Sequence, residues 1–433
     1  MAMQLACFVA ALALGQSHGP TGPEATEKRY AEIDAYALNA PRDAEASIAT
    51  LAAYLSKAGA SEREKARAIF TWVAEKLAYD TDAVSAGFAD QRFELVLNTR
   101  KTHCGGYSWL FEQLGRAAGL TVNSVVGEVR TLDHAAAITD PWTHFGPNGS
   151  FYGSHCWDAI KLDGSWYLVD CTAASPNELK GGQVHQYRPF DPYYFLLPPK
   201  TCLCSYLPQE PDWQLVDTPL SRENQSRLPL KTTGFYRWGM TMKGIADAPI
   251  NGGDQLCRVE YDVDPAASPF AELRRNGEVV PGGAFTFTNR NGSHYETFVS
   301  APEKGAYTFR ILTKTPKSEH HWDIAVDYRL NASQGMVRPK GFPTQTNEYR
   351  DSGARLVSPD SGELTAGTSY TFEISIDGVL GVGVLTGGQI VPLENRGNTW
   401  VGTATAGSGD LWITAQFPDR PDWNAGLVKY SVP

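Results

Sequence analysis

The sequence contains no apolar run approaching the roughly 20 residues of a membrane-spanning helix. It is short of positive charge: 38 Lys and Arg against 48 Asp and Glu leave a net charge of −10. That balance argues against a nucleic-acid-binding surface and offers no basic patch for anionic lipids. A phosphate-binding glycine loop, a dinucleotide fingerprint and a Cys/His set with zinc spacing are all missing, so no cofactor and no metal is called for. Cysteine is sparse, at seven in 433 residues. Cys202 and Cys204 are separated by one residue, which is neither a zinc nor a redox spacing, and read as incidental thiols of a strand or loop.

What is present is a Cys, a His and an Asp, in that order, each in a setting that suits chemistry. After Lys101-Thr102-His103-Cys104-Gly105-Gly106, apolar residues fall at Tyr107, Leu110, Phe111, Leu114 and Ala118, the spacing of one buried helix face, with Gly119 as its stop. Cys104 therefore opens a helix, where the macrodipole and the first N–H groups favour a thiolate. Taken alone, a lone cysteine there is equally well a packing thiol. The two glycines are expected to leave room for a substrate against the backbone.

Downstream, Gly153–Leu162 and Ser165–Thr172 alternate as strands around Asp163-Gly164, a strong hairpin signal. That turn opposes Leu162 to Ser165, Ile160 to Tyr167 and Asp158 to Val169. Extended further, it opposes His155 to Thr172 and makes Asp170 a diagonal neighbour of His155 on the same face. The carboxylate can then hold one imidazole nitrogen and leave the other for Cys104, the arrangement of nucleophile, base and orienting acid. The same register sets Cys156 opposite Cys171 on the reverse face, as a cross-strand disulfide or as two packed thiols.

The segments Cys104-Gly105-Gly106-Tyr107, His155-Cys156-Trp157 and Asp170-Cys171-Thr172 resemble the C-x-G-Y, H-x-W and D-x-T signatures of the transglutaminase-like cysteine peptidase superfamily. Glu64–Val73 with Leu77–Asp80 is similar to the helix that precedes the active site there. Phe190–Leu196 with Asp212–Leu215 is similar to the kyphoscoliosis peptidase subgroup. The likeness covers roughly residues 45–220. His103, directly before the nucleophile, departs from the pattern, as does a Cys after both His155 and Asp170; His155 is retained as the base because a sequence neighbour of Cys104 would need an unusual geometry.

The resemblance implies an α+β papain/transglutaminase-like core of helices and antiparallel sheet. Upstream helices are expected over Ala44–Lys57 and from Ser61, where Glu64 completes a capping box, and a strand over Leu120–Arg130. Beyond residue 235 short alternating runs separated by Gly, Asn and Pro suggest two all-β sandwich domains. Asp323–Tyr328, preceded by His321-Trp322, echoes Asp422–Tyr430, a weak internal repeat. The expected organisation is a signal peptide over 1–18, a catalytic domain over 25–220, a linker over 221–235, and sandwiches over 236–333 and 345–433. The leader rests on the apolar stretch Leu5–Leu14, although its first residues lack Lys and Arg. Secretion is expected from it and is compatible with the N-x-S sequons at Asn148, Asn224, Asn291 and Asn331; a cytoplasmic location is the alternative.

The expected activity is thiol-dependent acyl transfer or hydrolysis at peptide or protein amides, with Cys104 as nucleophile, His155 as base and Asp170 as orienter. The sandwiches would engage a structural-protein or cell-wall partner, and their aromatic residues read mostly as core. The rival is a non-catalytic adaptor that uses the same fold to bind proteins.

Overall fold

A computed structural model describes residues 23–87, 92–131, 143–145, 150–243, 250–252, 256–282, 284–314, 323–335 and 341–433. The leader over 1–18, the sequon at Asn148 and the pair His321-Trp322 lie outside them. Two compact units emerge: the chain up to Ser124 with Trp157–Leu196, and Val125–Cys156 with Leu197–Pro433.

The first unit is built on helices. Helix α1 spans Pro23–Leu38, α2 Ile48–Leu55, α3 Glu62–Lys76 and α4 Cys104–Ala117. The sequence did not signal α1. Ser47 caps α2 through a box with Thr50, and Ser61 caps α3 through the expected box with Glu64. Each box satisfies N–H groups that a helix start leaves open. Helix α3 is buried on nearly every side, with Ile69, Phe70, Trp72 and Val73 inaccessible to solvent. Arg67, on the same helix, survives burial because both Asp34 oxygens accept its guanidinium, at 2.8 and 2.7 Å, and Tyr30 and Phe195 flank it. That fork ties α1 to α3.

Strand β1 is Ala78–Asp80 and β2 Lys101–Thr102; β3 follows α4 as Thr121–Thr131. Next come β4 Thr143–Phe145, β5 Phe151–Leu162, β6 Ser165–Val169, β7 Asn177–Lys180, β8 Gln183–Gln186 and β9 Tyr206–Pro208. One sheet has the order β2-β1-β7-β8; the other runs β4-β5-β3-β9, with β6 beside β5. Strands β3 and β5 pass through the division between the units.

Residues 221–235, expected as a linker, hold a helix at Arg222–Arg227 and the strand Leu230–Lys231, which pairs with Asp323–Ala332. After them come four antiparallel-rich sheets in two sets. In the first set the strand order is 230–231, 323–332, 305–313, 270–275, 278–279, facing 241–243, 257–262, 294–299, 286–291. In the second it is 344–345, 420–432, 409–417, 381–386, 389–392, with 355–358, 369–375, 399–405, 394–396. The two orders match apart from one added strand, Ile250–Gly252, which pairs in parallel with Asp323–Ala332 in the first set, and each core draws on both of its sheets: Tyr261 with Phe309 and Tyr328 in one, Phe372 with Ile413 and Tyr430 in the other. The faint sequence echo thus corresponds to one topology used twice, since Asp323–Ala332 and Arg420–Val432 occupy the same place in their sheets. Among the described residues no helix is long and apolar enough to cross a membrane.

Candidate active site

Cys104 is the first residue of the 14-residue helix α4, half-buried at its N-terminus. Strand β2 delivers it: Lys101 and Thr102 pair with Ala78 and Tyr79 of β1, and the chain turns into the helix at His103. His103 is the N-cap. Its Nδ1 accepts the Gly105 N–H at 3.2 Å and lies 4.0 Å from Cys104 Sγ. That Nδ1 lone pair is committed to the helix end, the usual work of a capping acceptor, which favours His103 as a positioning group over His103 as base.

The glycines after Cys104 make room for the protein itself, not for a substrate as expected. A Cβ on Gly105 would stand 2.8 Å from Phe93 Cζ, and one on Gly106 would stand 1.9 Å from Thr102 Oγ1. Their role is the close seating of α4 on β2 and on the Phe93 ring.

The hairpin of β5 and β6 has the expected register, from Asp158 opposite Val169 to Leu162 opposite Ser165. Asp163 and Gly164 carry φ of 51° and 81°, the left-handed pair of a type I′ turn. The expected strand to Thr172 stops early. It ends at Val169 because Asp170 caps a one-turn helix, Cys171–Ala174, its Oδ1 accepting the Ala173 N–H at 2.7 Å. The ladder therefore never reaches a pairing of His155 with Thr172 or of Cys156 with Cys171, and neither cysteine is disulfide-bonded. Cys171 is buried, and burial pushes its thiol well up, with Asp158 and Asp170 nearby adding to the effect.

Asp170 is 1 % exposed and fixed from several sides. Its N–H donates to Tyr194 O at 3.1 Å, and Arg188 closes the one-turn helix by donating to Ser175 O and Thr172 O. Tyr107, three residues after Cys104, meets Ser175 Oγ at 3.1 Å. That buried contact couples the start of α4 to the segment of Asp170 within one unit. His155 stands on the part of β5 that belongs to the other unit, half-buried, its ring centre 6.3 Å from that of Tyr206.

The sequence reasoning missed a polar cluster beneath Cys104. Ser108, one turn along α4, is 3.0 Å from Asp158 Oδ1 and 2.9 Å from Ser124 Oγ, and Ser124 in turn reaches Glu112 Oε2 at 3.2 Å. Asp158 is wholly buried, and burial pushes its carboxyl well above the usual carboxylate range. A carboxylate in mid-strand between Trp157 and Ala159 was the available signal. Among the described residues no three His, Cys, Asp or Glu side chains gather as a metal site.

Residues 49–171 match the family model described as the transglutaminase-like superfamily. This stretch is a transglutaminase-like domain. Cys104, His155 and Asp170 all fall within the matched residues. Kyphoscoliosis peptidase of Mus musculus is 29% identical over 259 residues, 59% of this chain and 36% of that protein. Its Homo sapiens counterpart is 28% identical over 291 residues, 66% of this chain and 41% of the other. Hillarin of Drosophila melanogaster is 22% identical over 224 residues, 49% and 26% of the two chains. The chain thus spans less than half the length of these relatives, and within them the likeness supports the kyphoscoliosis peptidase subgroup.

Proposed function

We propose that the transglutaminase-like domain performs thiol-dependent acyl transfer on peptide or protein carboxamides. The observation that carries this reading is Cys104 at the first position of a capped 14-residue helix, inside residues matched to a superfamily of that chemistry. His155 takes the Cys104 proton, and Asp170 holds the imidazole in the tautomer that can do so. The thiolate attacks the carbonyl carbon, and the Cys104 N–H supports the oxyanion at the positive end of α4. The C–N bond breaks, the departing nitrogen takes the proton from His155, and a thioester remains on Cys104. Water then yields a carboxylic acid, or an amine yields a new amide, and the thiol is restored. The name of the kyphoscoliosis peptidases favours water as acceptor; protein segments are the substrate class.

The test is the pH dependence of Cys104 alkylation by iodoacetamide, read by peptide mass mapping. Labelling that persists well below the ordinary thiol range of about 8.5, is lost in His155→Ala and is kept in His103→Asn establishes the ion pair with His155. A Cys104 that titrates as an ordinary thiol, indifferent to both substitutions, leaves the non-catalytic adaptor as the better reading.

A further inference from the structure

Among the described residues, the hairpin of β7 and β8 ends the sheet β2-β1-β7-β8, and all four residues of β8 are exposed. Edge strands of this kind are normally blunted by Lys, Pro or a bulge. Gln183, Val184, His185 and Gln186 include no Lys, Arg, Asp, Glu or Pro, and their pairing with β7 is regular from Lys180 opposite Gln183 to Asn177 opposite Gln186. Val184 is 62% exposed. The hairpin is also held rigid from its turn. Gly181 and Gly182, with φ of 60° and 74°, donate their N–H groups to the two oxygens of Asp82, each at 2.8 Å.

The two-residue turn fixes which main-chain groups face outward. Residues flanking such a turn exchange hydrogen bonds, and the pairs alternate from there. Lys180/Gln183 and Glu178/His185 are then the bonded pairs, as is Pro176/Tyr187, where the Tyr187 N–H reaches Pro176 O at 3.0 Å. The N–H and C=O of Val184 and of Gln186 consequently point away from β7, toward the open edge. Two outward residues offer two donors and two acceptors at the spacing of an added strand.

Continuity with the nucleophile follows from the same sheet. Thr102, Tyr79, Glu178 and His185 form one row across its four strands. At about 4.8 Å per strand the row spans about 14 Å, and Thr102 is two residues before Cys104. A segment lying on β8 would be about 19 Å from that start, or about six extended residues from a carboxamide at Cys104.

We propose that β8 is a docking edge on which an extended, uncharged segment of the protein substrate adds as a strand, with its main chain bonded to Val184 and Gln186. This deepens the acyl-transfer reading and rests on it for the word substrate. A second copy of the chain is the poorer occupant. A four-residue edge is about 13 Å long, too small for the 1,200 Å2 or so that a stable association buries.

The experiment uses the full chain carrying Cys104→Ala, so that turnover plays no part, and fluorescein-labelled casein as an unfolded probe, with binding read by anisotropy. Val184→Ala, which keeps the outward N–H, should bind within twofold of its parent. Val184→Pro, which loses that N–H and none directed at β7, should weaken binding about fivefold, the worth of one main-chain hydrogen bond. Gln186→Pro, removing the other outward donor, should do the same, and guards against a folding defect at position 184. Equal binding by the Ala and Pro variants overturns the proposal, as does absence of casein binding by the parent. Self-association in sedimentation that Val184→Pro abolishes overturns it too, in favour of a second copy. The alkylation profile of wild-type Cys104 judges the acyl-transfer reading separately.

Discussion

Asp158 should be neutral in the folded protein, and Asp158→Asn turns that into a measurable slope. The carboxyl is wholly buried, accepts from Ser108 at 3.0 Å and Ser124 at 3.5 Å through Oδ1, and has no hydrogen-bond partner at Oδ2 among the described residues. Burial raises its folded pKa well above the unfolded value, so the stability it contributes is complete below about pH 3.9 and is lost as pH rises. The wild type should lose about 1.4 kcal/mol per pH unit on this account, from about pH 4 until the folded carboxyl itself ionises. Asn cannot ionise, so its curve lacks that slope. It keeps the oxygen that Ser108 and Ser124 face, but places an NH2 where Oδ2 had no acceptor, a penalty of about 1–3 kcal/mol. The variant is therefore the less stable protein near pH 4, and the two curves cross about one to two units higher. Alkylation of Cys171 in graded urea, mapped by mass spectrometry, reads this unit alone, because that thiol is buried. Parallel curves for the two proteins from pH 4 to 7 would refute a neutral Asp158.

Two further outcomes concern packing. Gly106→Ala forces a Cβ against Thr102 Oγ1 and should lose about 1–3 kcal/mol, with slower Cys104 alkylation as α4 shifts; circular dichroism melts and the alkylation rate check both. In the first sandwich Arg310 forks Asp327 at 2.8 and 2.7 Å, with both side chains buried. Arg310→Met, by stranding the carboxylate from its cation, should lose about 3–5 kcal/mol, and Arg310→Met with Asp327→Leu should recover most of it, as read by melting temperature.

Local chemistry was the legible part of this chain. The capping box at Ser61 and Glu64, the stripe Tyr107-Leu110-Phe111-Leu114 and the turn at Asp163-Gly164 act within a few residues, so their consequences could be read directly and the structure has them. The hairpin reading failed where a second local signal competed with the first. Asp170 serves as an N-cap, and the alternation that continued through Cys171 and Thr172 yielded to a helical turn. Helix α1 escaped notice because its burial depends on a distant partner, Arg67 of α3, more than on a sharp apolar stripe of its own.

By itself, the sequence determined the order Cys104, His155, Asp170, the helix that Cys104 opens, the register of β5 with β6 and the strand-rich second half. These follow from periodicity, capping and turn residues, all short-range properties. Only the tertiary structure decided what surrounds them. It filled the space over Gly105 and Gly106 with Phe93, His103 and Thr102, and committed His103 to the end of α4. It buried Asp158 against Ser108 and gave two weakly similar segments one strand order. Among the described residues it also left the outer edge of β8 unpaired. Each of these depends on which residues meet across long separations, where burial and the satisfaction of polar groups, not sequence neighbours, set the outcome.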